Sequence, residues 1–218
     1  MQEFPTTRPL ILGVTGGIGA GKSTACRMLQ AMGIPVWSAD EAGRKVYRSD
    51  AALRAWVADR WGAHLLVRDA DGLDVDVDRA ALGQIAFQSP TDLAALSAQV
   101  HPRVAAAFTA WHADQARRIS PPAWVAREAA ILFESGTDRD CAAVLTVEAP
   151  EDERIQRVMQ RDGVSEAAVR ARIQRQLSSD ERIARAGFVL HNGTGEQLLP
   201  QVCAICEQLM AANNCNFN

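Results

Sequence analysis

The 218-residue sequence has a formal net charge of −3 at pH 7, with 23 Lys and Arg residues against 26 Asp and Glu residues. This balance excludes a strong overall basic field, the feature that favours binding to nucleic acids. Hydrophobic residues make up 48% of the chain, which is typical of a globular protein with a sizeable core. No apolar run approaches the ~20 residues that a membrane-spanning helix needs. Residues 1–9 lack a basic segment followed by an apolar one, so we expect no secretion signal.

A glycine-rich turn follows the first apolar run of the chain, Leu10–Val14. A buried strand, such a turn and a helix that begins at Lys22 form a phosphate-binding loop, in which backbone N–H groups and the helix N-terminus converge on a polyphosphate. Lys22, one of only two lysines in the chain, can reach the β- and γ-phosphates, and the Ser23 hydroxyl can bind magnesium. The sequence therefore predicts a nucleoside triphosphate site formed by Gly17, Ile18, Gly19, Ala20, Gly21, Lys22, Ser23 and Thr24.

The segment after the loop predicts a helix and a second strand. Apolar residues recur at helical spacing up to Gly33, which ends the pattern. The apolar run Ile34–Trp37 predicts the strand. A strand, a helix and a strand within about 30 residues form a βαβ unit, which closes right-handed into a parallel sheet.

Asp40 follows the second predicted strand directly. In open parallel sheets, ligands bind outside the carboxyl ends of the strands, so we expect Asp40 on the same rim as the phosphate-binding loop. Phosphoryl transfer uses a carboxylate to orient or deprotonate the acceptor hydroxyl, and we predict this role for Asp40. The alternative is that Asp40 caps the following helix, and the two roles are compatible.

Two further segments are largely helical in pattern. Residues 41–118 are alanine-rich, apart from the polar stretch Arg68–Gly72, which predicts a turn. Residues 151–185 carry eight arginines and predict two helices broken at Asp162-Gly163, with Ser165 as the N-cap of the second. We expect most of these arginines on solvated faces, paired with acids. A lid that closes over the nucleotide would also bring at least one of them to the phosphates.

Glu128 is an acid within the otherwise mainly apolar run Trp124–Leu132. An unpaired buried carboxylate is costly, so Glu128 needs a cation or a neighbour such as Arg127. A magnesium ion at the phosphate-binding loop is the first candidate, and Ser23 and Glu128 are then the predicted metal ligands. Pairing of Glu128 with an arginine is the alternative.

Strands and helices alternate along the chain. Further strands are predicted within Ala123–Phe133, Ala142–Val147 and Phe188–Leu190, and a closing amphipathic helix over Glu196–Met210. This order predicts an α/β fold, a P-loop-type open parallel sheet flanked by helices, with a helical acceptor-binding insertion and a helical lid. The predicted parts are a nucleotide-binding core of residues 8–40, 119–150 and 186–212, an acceptor-binding domain of residues 41–118, and a lid of residues 151–185.

The five cysteines are odd in number and lack short regular spacing, which is typical of reduced thiols in a cytoplasmic protein. Cys203 and Cys206 fall in an apolar helical pattern, so we interpret them as packing residues rather than metal ligands. We expect a cytoplasmic protein with small-molecule substrates, no nucleic-acid or membrane partner, and a monomeric or small homo-oligomeric state.

Several segments together resemble the dephospho-CoA kinases of bacterial coenzyme A biosynthesis. The resemblance spans nearly the whole chain, from Leu10 to about Met210. In the family's order, the segments are Thr15–Thr24, Ala39-Asp40 with Arg44, Val100-His101-Pro102, Ile131–Gly136, Arg157–Gly163, Arg172 with Gln176, and Asn192. A phosphate-binding loop alone is shared by many unrelated proteins, whereas this ordered set is much more specific.

The resemblance implies that the γ-phosphoryl group of ATP, bound with Mg²⁺, is transferred to the 3′-hydroxyl of the ribose of dephospho-CoA. This is the last step of coenzyme A biosynthesis. Asp40 matches the family's catalytic aspartate, and we assign Lys22 and Arg161 to catalysis with it. The ATP-binding set gains Arg157, Arg172 and Asn192. Acceptor contacts are implied for Asp40, Arg44, Phe87, His101, Leu132, Phe133 and Glu134.

Two positions depart from the usual family pattern. Ser38 stands where the family often has aspartate, so only Asp40 remains of a carboxylate pair, and a two-carboxylate mechanism is weakened. Ala130 stands where proline is usual, which affects the expected backbone turn.

Two other functions fit parts of the pattern. A kinase of the same architecture that acts on a nucleoside, a nucleotide or a sugar acid would share the arginine-rich lid and differ in the groove formed by residues 41–118. A nucleotide-dependent switch would need an Asn-Lys-x-Asp motif to read guanine, and a DNA-associated ATPase would need a basic stripe. The sequence has neither.

Overall fold

The structure, a computed structural model, describes residues 9–215, with side chains described up to residue 211. In chain order the strands are β1 (Leu10–Gly16), β2 (Val36–Ser38), β3 (Leu66–Arg68), β4 (Asp74–Val77), β5 (Trp124–Glu128), β6 (Ala143–Glu148) and β7 (Phe188–His191). The α-helices are α1 (Lys22–Ala31), α2 (Ala39–Ser49), α3 (Ala51–Trp61), α4 (Arg79–Ala86), α5 (Pro90–Ala116), α6 (Glu151–Asp162), α7 (Glu166–Ile173), α8 (Ser179–Arg185) and α9 (Leu198–Cys215). Within this part of the chain, no helix has both the length and the hydropathy needed to cross a bilayer.

Five strands form one parallel sheet in the order β2-β5-β1-β6-β7. The central strand is β1, in which Val14 lies opposite Glu128 of β5 and Leu145 of β6. Every residue of β1 from Leu12 to Gly16 is buried, as expected for a parallel strand covered on both faces. The predicted open parallel sheet is confirmed, and the carboxyl ends of its strands lie at one edge.

Both faces of the central strand are closely packed. One face contributes to a core with α1 and α9, which includes the fully buried Leu12, Val14, Leu29 and Val202. The Trp124 indole Nε1 donates to the Leu209 backbone oxygen at 3.0 Å and so fixes α9 to β5. On the opposite face of β1, a Cβ on Gly13 would lie 2.7 Å from Leu132 Cδ2, so the segment after β5 packs directly against this strand.

Residues Ala39–Trp111 form a second compact unit, and the rest of the described chain forms the first. The second unit packs α2, α3, α4 and part of α5 with a hairpin of β3 and β4 around a core of its own, which includes Leu53, Val57 and Leu65. This unit is similar in extent to the predicted acceptor-binding domain. The predicted lid lies within the first unit, and the three-part division stays a prediction.

The hairpin of β3 and β4 is a difference from the expected helical insertion. The predicted turn lies between the two strands, which are antiparallel. The alternation Asp74-Val75-Asp76-Val77 supports a strand because polar and apolar side chains fall on opposite faces. Asp76 is stabilised by Arg48, whose Nε lies 2.7 Å from Asp76 Oδ2.

The segment 151–185 forms three helices rather than the predicted two. The predicted break is present, since α6 ends at Gly163 in the left-handed conformation with φ 66°. Ser165 caps α7, as predicted. The additional helix, α8, begins with a capping box between Ser178 and Glu181, in which each side chain bonds to the backbone N–H of the other.

Candidate active site

The phosphate-binding loop joins β1 to α1 at the carboxyl edge of the sheet. Gly16 has a φ of 144°, and a Cβ there would lie 2.3 Å from the Val147 carbonyl oxygen of β6, so only glycine fits. Gly21 precedes α1 with a φ of 104° and makes no side-chain cap. A helix N-terminus without a side-chain cap presents its N–H groups to an anion. The loop therefore has the geometry that phosphate binding requires.

Lys22 bends back over the start of this loop. Its Nζ donates to the Gly16 backbone oxygen at 3.0 Å, and Ser23 is exposed on the first turn of α1. Of the predicted loop residues, Gly17–Gly21 form the turn, and Lys22, Ser23 and Thr24 are the first three residues of α1. This arrangement suits a polyphosphate that contacts main-chain N–H groups and one lysine.

Two further predicted ATP-binding residues lie beside the loop. Asn192, just after β7, donates from Nδ2 to the Ala20 backbone oxygen at 2.7 Å. Arg157 of α6 donates from Nη2 to the Asn192 backbone oxygen at 2.9 Å and to Glu153 Oε2 at 2.8 Å. These bonds link Asn192 and Arg157 to the loop in a single network.

The other predicted nucleotide-binding arginines lie at the protein surface. Arg161 Nε is 2.7 Å from Asp162 Oδ1, and Arg172 Nη1 is 3.1 Å from Asp162 Oδ2. The hydrogen bond from Arg161 is the main cause that lowers the pKa of Asp162. Arg170 pairs with Glu166 in the same way, as expected for arginines on solvated faces. Contact of Arg161 and Arg172 with phosphate stays a prediction.

Glu128 ends β5 at the same edge of the sheet, opposite Val14 of β1 and Ser38 of β2. The Ser38 hydroxyl donates to Glu128 Oε2 at 2.6 Å. Burial raises the pKa of the Cys26 thiol to about 12, reinforced by the negative charge of Glu128 and opposed by the positive charge of Lys22. Glu128 thus lies at the edge of the sheet from which the loop leaves β1.

Ser23 and Glu128 provide hydroxyl and carboxylate oxygen atoms, the hard donors that Mg²⁺ prefers. Among the described side chains, no group of three or more His, Cys, Asp or Glu residues is arranged to hold a metal ion. In kinases, Mg²⁺ is bound by one or two protein carboxylates together with water and substrate phosphates. The residues present therefore fit a magnesium ion that binds together with a nucleotide.

Gln176, in the connection between α7 and α8, joins the loop to the segment after β5. Its Oε1 accepts from the Ile18 backbone N–H at 2.8 Å, and its Nε2 donates to the Ala130 backbone oxygen at 2.7 Å. Nearby, Glu134 Oε1 accepts from the Leu177 backbone N–H at 2.7 Å. The sequence indicated Gln176 only as part of a family pattern, whereas the structure gives it a direct contact with the phosphate-binding loop.

Two other predicted acceptor-binding residues follow β5 in the first unit. Leu132 is fully buried. Phe133 is also buried, and the Arg185 guanidinium carbon lies 4.4 Å from its ring centroid. The packing of both residues accounts for their apolar character, and their contact with an acceptor stays a prediction.

The second unit carries the remaining predicted acceptor-binding residues. Helix α2 begins at Ala39, directly after β2, so Asp40 is its second residue rather than its N-cap. Asp40 and Arg44 are both exposed and lie on the same face of α2, since residues four apart are neighbours on a helix. Phe87 follows α4 and is 54% exposed, and His101 is exposed on α5. Their roles stay predictions.

A buried ion cluster beside the loop was not predicted. Glu148, the last residue of β6, accepts from Arg182 Nε at 2.7 Å and Arg182 Nη2 at 2.6 Å. The Thr146 and Ser179 hydroxyls also donate to Glu148, each at 2.6 Å. Burial alone would raise the pKa of Glu148, but these hydrogen bonds, chiefly from Arg182, outweigh it and lower the pKa below the ordinary 4.5. The sequence signal that could have indicated this cluster is an acidic residue, Glu148, at the end of an apolar strand.

Comparisons with known proteins point to one family. The family model described as dephospho-CoA kinase matches residues 10–197. The chain belongs to the dephospho-CoA kinase family. It is 37% identical over 206 residues to the dephospho-CoA kinase of Chlorobaculum tepidum, covering 93% of this chain and 96% of the relative. It is 38% identical over 207 residues to that of Deinococcus radiodurans, covering 93% and 94%.

A solved structure supports the same fold for this dephospho-CoA kinase family member. A crystal structure of a Thermus thermophilus protein matches with a TM-score of 0.75 at 31% identity, covering 94% of this chain and 98% of that chain. The resemblance inferred from the ordered motifs is therefore confirmed. The two departures from the family pattern have local partners, because Ser38 bonds to Glu128 and the Ala130 carbonyl bonds to Gln176.

Proposed function

We propose that this protein transfers the γ-phosphoryl group of ATP to the 3′-hydroxyl of the ribose of dephospho-CoA, giving CoA and ADP. The observation that carries the proposal is the match of the dephospho-CoA kinase family to residues 10–197. This range contains the phosphate-binding loop and every predicted site residue. The same reaction is the one that the ordered motifs imply.

The phosphate-binding loop is the proposed triphosphate site. The proposed donors are the backbone N–H groups of Gly19, Gly21, Lys22 and Ser23, since those of Ala20 and Thr24 donate to the Gly17 and Gly21 carbonyls. The Lys22 side chain supplies a positive charge. Lys22 Nζ lies at the start of the loop, where it donates to the Gly16 carbonyl at 3.0 Å, and it is the proposed cationic contact of the β- and γ-phosphates. Ser23 and Glu128 are the proposed protein ligands of Mg²⁺, which when bound neutralises charge on the phosphates.

Asp40 is the proposed general base, and its carboxylate is exposed at the start of α2. It accepts the proton of the 3′-hydroxyl as that oxygen bonds to the γ-phosphorus, and the bond between the γ-phosphorus and the bridging oxygen of ADP breaks. The proposed acceptor contacts are Arg44, Phe87, His101, Leu132, Phe133 and Glu134. The proposed ATP contacts beyond the loop are Arg157, Arg172 and Asn192, with Arg161 in the catalytic group.

An acceptor panel tests the proposal. The purified protein is incubated with Mg-ATP and, separately, dephospho-CoA, adenosine, AMP and gluconate, and mass spectrometry identifies which acceptor gains a phosphate. We expect phosphorylation of dephospho-CoA, with phosphorus NMR placing the new group on the 3′-oxygen. Phosphate on a nucleoside, a nucleotide or a sugar acid, with dephospho-CoA unchanged, would contradict the proposal.

We also propose that the protein is cytoplasmic. Cys26, Cys141, Cys203 and Cys206 are free thiols, as expected in a reducing compartment. Fractionation of the source cells should recover the protein with cytoplasmic markers, and recovery with periplasmic or secreted markers would contradict this location.

A further inference from the structure

Arg154, in the first turn of α6, is a buried cation beside the phosphate-binding loop. Its side chain is 5% exposed, and its Nη2 lies 3.6 Å from Glu151 Oε2. Its Nε donates to the Ala149 backbone oxygen at 3.1 Å. Its Nη1 is buried and has no hydrogen-bond partner among the described residues. A buried donor left unpaired is costly, so this nitrogen indicates a missing ligand atom.

Glu148, the carboxylate of the buried ion cluster, cannot supply that atom. Glu148 already accepts four hydrogen bonds, two of them from Arg182. A carboxylate has about four lone-pair sites, so Glu148 has no acceptor site left for Arg154. Burial and then the like charge of Arg182 lower the pKa of Arg154, and Glu148 and Glu151 oppose this only in part. An additional anion would stabilise the buried guanidinium.

The unpaired nitrogen lies against the loop. A Cβ on Gly17 would lie 2.3 Å from Arg154 Nη1, so the missing side chain at Gly17 lets the guanidinium approach the main chain. One residue earlier, the Gly16 carbonyl bonds to Lys22 Nζ at 3.0 Å. Since the lysine of such a loop serves the β- and γ-phosphates, Arg154 lies at the end of the loop that holds the terminal phosphate.

We propose that Arg154 binds the terminal phosphate of the nucleoside triphosphate through its Nη1 N–H groups. The inference rests on the proposed function to the extent that the loop holds a triphosphate. Arg154 differs from Arg161 and Arg172, which are exposed and share the Asp162 carboxylate. A buried guanidinium held in place before the nucleotide binds can stabilise the charge of the transferring phosphoryl group without rearrangement.

Nucleotide affinities of Arg154→Met test this role without catalysis. Isothermal titration calorimetry with Mg²⁺ compares AMP, ADP and the non-hydrolysable β,γ-imido analogue of ATP. We expect the analogue to bind roughly ten- to a hundredfold more weakly, as for loss of a charged hydrogen bond. The change should be much smaller for ADP and absent for AMP. The matched control, Arg68→Met, removes an exposed arginine that pairs with Asp74 in the hairpin of β3 and β4 and should leave all three affinities unchanged.

Two further variants separate phosphate binding from a structural role. Arg154→Lys keeps the charge but loses the planar fork, so we expect a partial loss of affinity for the analogue. Arg154→Gln keeps a polar side chain without the charge and should repeat the selective loss, which provides a second test where the methionine variant folds poorly. An equal loss for all three nucleotides with a lower melting temperature, or unchanged affinity for the analogue, would overturn the proposal.

The affinity measurements test Arg154 independently of the proposed acceptor, because dephospho-CoA is not present in the titrations. Selective loss of triphosphate affinity in a protein that does not phosphorylate dephospho-CoA would refute the proposed reaction and support the role of Arg154. Phosphorylation of dephospho-CoA by the wild type, with an equal loss for all three nucleotides in Arg154→Met, would support the reaction and refute that role.

Discussion

The two units differ in how their proposed ligands are recognised. In the first unit, the phosphate site is one continuous segment, Gly16–Thr24, in which the backbone supplies most of the donors. In the second unit, the proposed acceptor contacts are single side chains on separate elements: Asp40 and Arg44 on α2, Phe87 after α4, and His101 on α5. A backbone site of this kind depends on glycine spacing and is recognised in a single sequence. Of the dispersed side chains, only Asp40 was predicted from its position after a strand, whereas Arg44, Phe87 and His101 were recognised only through the order of a family pattern.

The largest expected effect is on the acceptor side, in Asp40→Asn. The substitution keeps the shape of the side chain but removes the base, so we expect kcat to fall by roughly 10²–10⁴-fold with unchanged affinity for the ATP analogue. Steady-state kinetics and calorimetry measure the two quantities. Glu41→Gln is the control, since it alters the adjacent acid, which pairs with Lys45 on the surface. A loss confined to ATP affinity would give Asp40 a structural role instead.

On the nucleotide side, Lys22→Ala removes the one ammonium group of the loop. We expect kcat to fall by roughly 10²–10³-fold, as for loss of one charged contact to the transition state, with weaker ATP binding. Lys45→Ala is the control and should leave kcat unchanged. Lys45 is the chain's only other lysine, its side chain is 71% exposed, and it pairs with Glu41. Near-normal turnover of Lys22→Ala would contradict the assignment of the loop.

Glu148→Gln tests how much the buried ion pair beside the phosphate-binding loop contributes to stability. Removal of one partner from a buried ion pair leaves the charge of Arg182 uncompensated, so we expect the free energy of unfolding to fall by about 3 kcal/mol. Urea denaturation measures this change, and Glu166→Gln, at an exposed ion pair with Arg170, should change it by less than about 1 kcal/mol. Equal effects of the two substitutions would show that the buried cluster has no special role.

The same ion pair predicts a pH dependence. Because the pKa of Glu148 is lower in the folded protein than its ordinary 4.5, its contribution to stability is complete above that value. It is lost as the pH falls below 4.5 through the folded pKa. Unfolding free energies of the wild type and Glu148→Gln should therefore converge as the pH is lowered through this range. A constant difference would contradict the assigned shift.

The smallest expected effect concerns the predicted lid. Binding of ATP analogue and dephospho-CoA together should increase the hydrogen-exchange protection of residues 151–185, because closure removes backbone amides from solvent. Helix α9, which is fixed to β5 through the bond between Trp124 and Leu209, is the internal control. Unchanged exchange in residues 151–185 would contradict a mobile lid.

The parts of the fold that the sequence predicted correctly depend on local patterns. The loop, the βαβ unit and the strands of the sheet are contiguous runs of apolar residues or glycines. Most of their observed bounds lie within a few residues of those expected, but β5 ends at Glu128 and the apolar run beyond it, up to Phe133, forms turns. The surface arginines also follow a local rule, since Arg170 pairs with Glu166 four residues earlier. Such features need no knowledge of which distant segments come together.

The features that were missed depend on distant partners or on a local signal that was overlooked. Glu148 and Arg182 are 34 residues apart, and the burial of Arg182 becomes favourable only when the sheet supplies that carboxylate. Arg154 is buried against the loop at Gly17, a contact that is also remote in sequence. The sequence alone therefore did not distinguish it from the arginines on the solvated faces. In contrast, helix α8 had a local signal, the pair Ser178 and Glu181, which forms its capping box.

The amide of Gln176 has a consequence for the smallest fragment that can bind a nucleotide. Its two hydrogen bonds hold the loop at Ile18 and the segment after β5 at Ala130. Gln176 itself lies 158 positions after Ile18 in the chain. A fragment that ends before α7 would contain the complete glycine-rich motif and still lack the side chain that holds it. We therefore expect the motif alone to be too short a unit for transplantation into another scaffold.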